Sequence, residues 1–393
     1  MSRSPIKEVV VVGGGIGGLT TALALRRAGI SARVYERASR LRDIQAGGGL
    51  VLWHNAIPAL RGIGMEEPVQ KIGHELRRYR FRSWRDRDLA DWSIERMAGR
   101  LGAPAYTVSR AELHRTLSAE VGDDLVLGAR CAGFDSDADG VTVRFEDGRE
   151  ERGDLLVGAD GLRSAVRGAM MPYEPPPRYA GVTAWQGIAH VPGLGTPGHT
   201  FVSTFGRGRW FVYYPLTDGH VYWDAIISDR ISRRMDAFGQ TWREIVTREF
   251  AGWPVPVAEL VEATPMGGVS PIDIFDRDPV TRWSTDRATL VGDAAHPMTF
   301  NLGQGANQAI EGAVVLASCL AGARDVPGAL AEYERRRVAR TAKVVRRSRA
   351  NGAFSRWSAP AACWFRDAFM RLTFDRLVYR KTYELTMDTG LSH

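Results

Sequence analysis

The sequence predicts an α/β fold: a parallel-sheet nucleotide-binding domain, an antiparallel sheet inserted into it, and a helical segment at the C-terminal end. Three observations carry that expectation. Val9 to Val12 leads into a glycine-rich turn and a helical run. Two further apolar strands end in glycine-acid turns far downstream. The stretch between those two turns is rich in β-branched and aromatic residues separated by glycine and proline.

Val9-Val10-Val11-Val12 is a short β-branched run of the kind a strand buried on both faces needs. Gly13-Gly14-Gly15-Ile16-Gly17-Gly18 follows, and Leu19 to Ala28 carries helix formers that stop at Gly29. Gly13 permits the tight turn, Gly15 lets the backbone approach a pyrophosphate, and Gly18 lets helix and strand pack closely. Ile16 and Gly17 open the helix, whose N-terminus faces the phosphates. A second strand, Ala32 to Tyr35, ends at Glu36 and Arg37, about 20 residues past the loop, where a carboxylate accepts from ribose hydroxyls and disfavours a 2′-phosphate. This fingerprint alone does not separate NAD from FAD.

Leu155 to Ala159 is another apolar strand, closed by Asp160-Gly161 ahead of Ser164 and Arg167. Arg287 to Val291 is a third, followed by Gly292-Asp293-Ala294-Ala295-His296-Pro297, then Gly303-Gln304-Gly305-Ala306-Asn307, then a helical run from Gln308 to Ala317. A helix beginning near Gly305 aims free backbone N–H groups and positive dipole potential at whatever lies in front of it. Arg110 sits in Val108-Ser109-Arg110-Ala111-Glu112-Leu113, at a helix's first turn.

Read in order, these elements resemble the class A FAD-dependent monooxygenases, the single-chain aromatic hydroxylases related to p-hydroxybenzoate hydroxylase, over roughly the first 350 residues. The resemblance implies a Rossmann-like FAD-binding domain with an inserted substrate-binding sheet. It puts Asp293 on the FAD ribityl hydroxyls, Arg110 on the flavin side chain and pyrophosphate, and Asp160-Gly161 near both FAD and the nicotinamide coenzyme. It makes His296 structural rather than an acid or base. The implied reaction is hydride delivery from NADPH or NADH to FAD, addition of O2 to the reduced ring at C4a, and transfer of the distal oxygen of that hydroperoxide to an electron-rich small molecule, giving hydroxylation or epoxidation. The flavin carries this chemistry and no side chain is assigned as catalytic. Two other readings use the same fold: an FAD-dependent reductase, and a non-oxygenating flavoprotein that carries a hydrophobic ligand.

Because the FAD-side motifs fall in three separated segments, the FAD-binding domain is expected at 1–72, 98–174 and 277–350. The substrate sheet is expected at 73–97 and 175–276, and a C-terminal helical segment at 351–393. Tyr179 to Ala189, Thr200 to Phe205, Arg209 to Tyr214 and Val221 to Ile227 read as its antiparallel strands, with a helix near Trp242 to Phe250 over one face. Pocket candidates on this roof are Trp185, Gln186, Phe201, Trp210, Tyr213 and Tyr214, and alternation lets only some of them face the cavity. Pro297 and Phe300 are pocket candidates on the flavin side. Phe300 stands where many relatives place a proline, Gly312 where they carry an acid, and Ala46-Gly47-Gly48-Gly49 where they read glycine-alanine-glycine. The first of these departures favours an atypical acceptor such as an indole, quinolone, polyketide or alkene.

At 393 residues the chain can bury a large core. Its +7 net charge is spread, and the one dense basic run, Arg335 to Arg349, reads as a solvated helix face rather than a nucleic-acid site. No stretch approaches the roughly 18 apolar residues of a membrane span, and the first valines belong to a strand rather than a signal sequence, so a cytoplasmic monomer or homodimer is expected. Cys131, Cys319 and Cys363 have no metal or redox spacing. His220, beside Gly219, reads as an exposed turn histidine. The aromatic stretch from Trp357 to Phe374 reads as a helix packed on the FAD-binding domain, with a membrane-surface or dimer contact as the alternative.

Overall fold

The computed structural model describes residues 6–44, 48–193, 198–229 and 240–374. A five-stranded parallel sheet forms the nucleotide-binding half, with Glu8–Val12 at its centre. Ser31–Glu36 and then Leu125–Leu127 lie on one side, Leu155–Gly158 and then Ala288–Leu290 on the other. Val9 to Val12 are all buried, which is why the strand is apolar without alternation. The chain leaves the central strand for one neighbour through the helix Ile16–Arg27 and reaches the other neighbour much later, so the strand order reverses beside it. Such a reversal opens a crevice at the strands' carboxyl ends, where the Gly13–Gly18 loop sits.

The helix Gly305–Ala321 is buried along most of its length and packs against Ile16–Arg27 on one side and the 30-residue helix Val326–Ser355 on another. That second contact corrects the expectation of a solvated basic face. Arg335 remains exposed, but Arg337 is buried and pairs with the buried Glu311, joined by Arg340. A helix packed over an internal carboxylate must supply cations on the packed side. The same helix runs unbroken through residue 350, so the expected boundary there falls inside it.

The second half is a seven-stranded sheet in the order Ser270–Asp276, Arg178–His190, His220–Ser228, Arg209–Pro215, Thr200–Phe205, Arg78–Ser83, Asp88–Ser93. Every pairing is antiparallel except Thr200–Phe205 with Arg78–Ser83, which is parallel because the earlier segment joins an edge from a distant part of the chain. Side chains alternate between faces. Phe201, Phe205, Trp210, Tyr214, Tyr222 and Ile226 belong to one apolar cluster. Trp185, Val202, Phe211, Tyr213 and Trp223 belong to another, covered by the helices Trp242–Glu249 and Val257–Ala263.

The helix Pro360–Thr373 packs on this sheet, against Asp88–Ser93, and its Phe369 meets Phe354 near the end of the helix Val326–Ser355. Arg366, fully buried, donates to the Gly206 carbonyl at 2.9 Å and lies over the Phe205 ring, while Phe374 meets Phe81. Trp364, Phe365 and Leu372 face solvent. Among the described residues no helix is long and apolar enough to cross a membrane.

Candidate active site

A cavity of about 710 Å³ lies between the two halves. Its floor is the nucleotide-binding side: Gly15, Ile16 and Gly17, Ala159 and Gly161, Gly292 and Asp293, and Gly303, Gly305 and Ala306. Its roof is the inward face of the seven-stranded sheet, and Phe354, Phe369, Met370 and Phe374 close one end.

The floor fits an extended flavin dinucleotide. Gly13 adopts φ +110°, and a Cβ there would sit 2.4 Å from the Ala159 carbonyl oxygen; a Cβ on Gly18 would sit 1.8 Å from the Gly13 oxygen. These two glycines hold loop, helix and neighbouring strand in contact. At Gly15, in contrast, a Cβ would meet nothing within 4 Å, so that stretch of backbone is open to the cavity. No side chain caps the N-terminus of Gly305–Ala321, which leaves its first N–H groups to favour a polar or anionic ligand edge. Asp293 lies deep between the two halves with its side chain open to the cavity; that depth raises its carboxyl above the usual range, and Arg110 offsets part of the rise. Arg110 is pushed down by burial and up by Asp293, and its guanidinium donates to the Ile44 carbonyl at 3.2 Å.

Other residues named from the sequence are committed to the protein. Glu36 ends its strand and accepts from the Gly14 and Ala38 N–H groups at 2.7 and 2.8 Å, although a carboxylate offers further lone pairs. Arg37 is exposed beside it. Asp160 accepts from the Ala165 N–H at 2.7 Å at the start of the helix Ala165–Met170, whose cap is Ser164; burial raises the Asp160 carboxyl, and its Oδ1 has no partner among the described residues. The Asn307 amide accepts from Trp53 N at 2.7 Å and donates to Val51 O and Gly303 O at 2.8 and 2.7 Å. Gln304 bonds Asn55 and Gln308. The side chains of Asn307 and Gln304 therefore brace the loop and do not line the cavity. Arg167, buried, donates to the Ala294 and Ala295 carbonyls at 2.7 and 2.8 Å, tying the middle motif to the third.

On the roof, alternation sorts the candidates. Gln186, Phe201, Trp210 and Tyr214 line the cavity. Trp185 and Tyr213 point the other way, under the covering helices, and do not reach it. Phe300 lines the cavity with its ring centroid 6.4 Å from that of Trp210, whereas Pro297 is buried behind the wall. His296 is buried with its pKa lowered to about 3 by burial and then by Arg337, so it stays neutral at ordinary pH. His220 is exposed at its turn.

Several roof residues escape the sequence reading, among them Tyr79, Phe81, Ser203 and Tyr222, and the one with titratable chemistry near neutral pH is Asp224. Asp224 is buried, lines the cavity, and pairs in register with Gln186 and Val212 on the flanking strands. Burial pushes its carboxyl up to about 7, partly offset by hydrogen bonding from Tyr222 and Gln186. Its Oδ1 has no partner among the described residues. A detectable signal was present: Tyr222, Asp224 and Ile226 share one strand face, and an acid on an otherwise apolar face is unusual.

A glycine-led parallel sheet, a cavity-lining aspartate with an arginine near it, and an aromatic roof are the features of a flavin-dependent oxidoreductase of two interlocked halves. The FAD binding domain family model matches residues 7–348, and the chain belongs to the class A FAD-dependent monooxygenases. It is 42% identical over 365 residues to the aurachin C monooxygenase/isomerase of Stigmatella aurantiaca, covering 93% of this chain and 94% of that one. It is 38% identical over 367 residues to 3-amino-4-hydroxybenzoate 2-monooxygenase PtnB3 of Streptomyces platensis, covering 88% and 87%. The solved structure of Klebsiella pneumoniae HpxO complexed with FAD and uric acid superposes with a TM-score of 0.88 at 31% identity, covering 98% and 97%.

Proposed function

We propose that this chain uses NADH or NADPH and O2 to insert one oxygen atom into an aromatic or heteroaromatic small molecule. The observation that carries the reading is a single cavity whose floor is a flavin cradle and whose roof is aromatic with one enclosed carboxylate. Bound FAD would supply the redox chemistry, accepting hydride from the nicotinamide and passing an oxygen atom of O2 to the substrate.

The protein's own part is to hold, orient and exclude water. Gly15, Ile16 and Gly17 receive the pyrophosphate on a loop that Gly13 and Gly18 hold in place, Glu36 the ribose, Arg110 and Asp293 the flavin side chain, and Gly292, Gly303, Gly305 and Ala306 the ring edge through backbone groups. Gln304 and Asn307 hold that loop in shape. Tyr79, Phe81, Phe201, Trp210 and Phe300 surround the substrate with apolar surface, which strengthens every polar contact made inside. Closure at the Phe369 end keeps water from the reacting ring. Relatives named for aurachin C and for 3-amino-4-hydroxybenzoate, and a solved neighbour holding uric acid, match this chain over most of its length, which fits one scaffold serving different small molecules.

The test supplies FAD-loaded protein with NADH or NADPH, isotopically labelled O2, and a panel of phenolic, quinolone and indolic compounds, read by mass spectrometry. Label in one product supports the reading. Nicotinamide oxidation with no labelled product from any of them contradicts it in favour of a reductase.

A further inference from the structure

The cavity roof is apolar apart from a short polar line. Gln186, Asp224 and Ser203 project from three strands onto the inward face, with Tyr214 and Tyr222 beside them. The tyrosine rings rest on the Gly48-Gly49 backbone, where a Cβ at Gly49 would come within 2.7 Å of the Tyr214 hydroxyl. Gly48 in turn accepts from the Arg110 N–H at 3.1 Å, so the polar line stands over the arginine that floors the cavity. Asp224 is the only one of these roof groups able to carry charge near neutral pH, and although Tyr222 and Gln186 bond to the carboxyl, its buried Oδ1 has no donor among the described residues, which is costly for a carboxylate.

We propose that Asp224 is the substrate-orienting, proton-accepting group of the cavity, and that the substrate presents a ring N–H or O–H to it. This inference rests on the oxygenase reading above. The proton on the substrate's nitrogen or oxygen passes to the Asp224 carboxylate, leaving its electron pair on the ring and making the ring carbon a better nucleophile toward the incoming oxygen atom. After oxygen transfer the ring loses the hydrogen at that carbon to solvent, and Asp224 returns its proton to the same heteroatom. The net change at the ring is one oxygen gained, with the carboxylate restored.

The groups that face Asp224 leave it free to do this. Tyr222 on its own strand and Tyr214 on the next are held neutral by burial, Gln186 and Ser203 are uncharged, and Val212 is apolar. The charged pair, Arg110 and Asp293, lies on the floor side. A base poised near the working pH transfers protons most effectively, and burial brings Asp224 into that range.

The experiment compares FAD-loaded wild type with Asp224→Asn, which keeps shape and hydrogen-bonding capacity, and with Asp224→Leu, which keeps the wall packed if the amide disturbs it. Thermal midpoint and bound FAD check folding. Perturbation of the oxidised flavin spectrum reads the binding of 3-amino-4-hydroxybenzoate, 4-hydroxyquinoline and the O-methyl ether of each, from about pH 5 to about pH 9. The expected result is that wild type binds at least one hydroxyl probe about tenfold more tightly than its ether above pH 7, that the preference shrinks at lower pH, that Asp224→Asn loses this pH dependence and most of the preference, and that Asp224→Leu loses the preference altogether. An unchanged preference in Asp224→Asn, or none in wild type, overturns the proposal. Anaerobic bleaching by NADH is read on the same samples. Wild type that binds with the expected preference yet never bleaches sinks the oxygenase reading and leaves the recognition role standing.

Discussion

Single residues set the chemistry of the cavity. Asp224 has a cost that stability measurements can read. Its folded pKa of about 7 stands above the ordinary 3.8, so the folded protein holds the proton more tightly than the unfolded chain does. Stability from this group is therefore full below about pH 4, falls as pH rises toward 7, and stays low above that. Asp224→Asn should raise the thermal midpoint at pH 8, by an amount equivalent to about 1–4 kcal/mol, with the gap closing near pH 4. A midpoint difference independent of pH would count against a raised carboxyl. On the floor, Asp293→Ala removes the carboxylate facing Arg110 and leaves that cation buried. FAD affinity, read by fluorescence titration of the apoprotein, should drop at least tenfold, about 1.4 kcal/mol.

Secondary-structure elements decide whether the cradle exists at all. The helix Ile16–Arg27 can approach its strand only because Gly18 has no side chain; a methyl group there would collide with the Gly13 carbonyl. Gly18→Ala should yield protein that binds FAD poorly even where it folds, measured as the ratio of flavin to protein absorbance after purification. The helix Gly305–Ala321 is held from behind by Glu311, whose carboxyl burial raises but Arg337 and Arg340 draw down to a net lowering. Removing one partner of such a buried pair strands the other, so Arg337→Ala should destabilise the fold by about 3–5 kcal/mol in urea titration. This pairing was not legible in the sequence, where Arg337 lies within a basic run that reads as solvated. Charge runs report composition, while burial depends on what a helix packs against. Gln304 and Asn307 were legible as part of the flavin loop because glycines flank them. That their amides serve the protein and not the cavity depends on contacts to Trp53 and Asn55, some 250 positions away.

At the scale of the whole molecule, the nucleotide-binding half was legible because each of its motifs is local: a strand, a turn with a glycine or acid, and a helix within about 30 residues. The roof was legible as a sheet but not as a wall. Which of Trp185 and Gln186, or Tyr213 and Tyr214, faces the cavity turns on register and on where the covering helices Trp242–Glu249 and Val257–Ala263 settle. A one-residue shift exchanges the two faces. Asp224 was overlooked for the same reason, being placed only by its cross-strand partners. The C-terminal helix closes the cavity from the roof side, a long-range contact that aromatic spacing alone does not specify.

The proposed function requires a nicotinamide to reduce flavin in this cavity, and a ring that binds beneath the roof is expected to speed that reduction. Anaerobic bleaching of bound FAD by NADPH and by NADH, with and without phenolic, indolic and quinolone ligands, tests it most directly. Bleaching by at least one nicotinamide, accelerated by one ligand class, is the expected result. FAD-saturated protein that neither nicotinamide bleaches under any of these conditions would contradict it, leaving a flavoprotein that carries its ligand without oxygenating it.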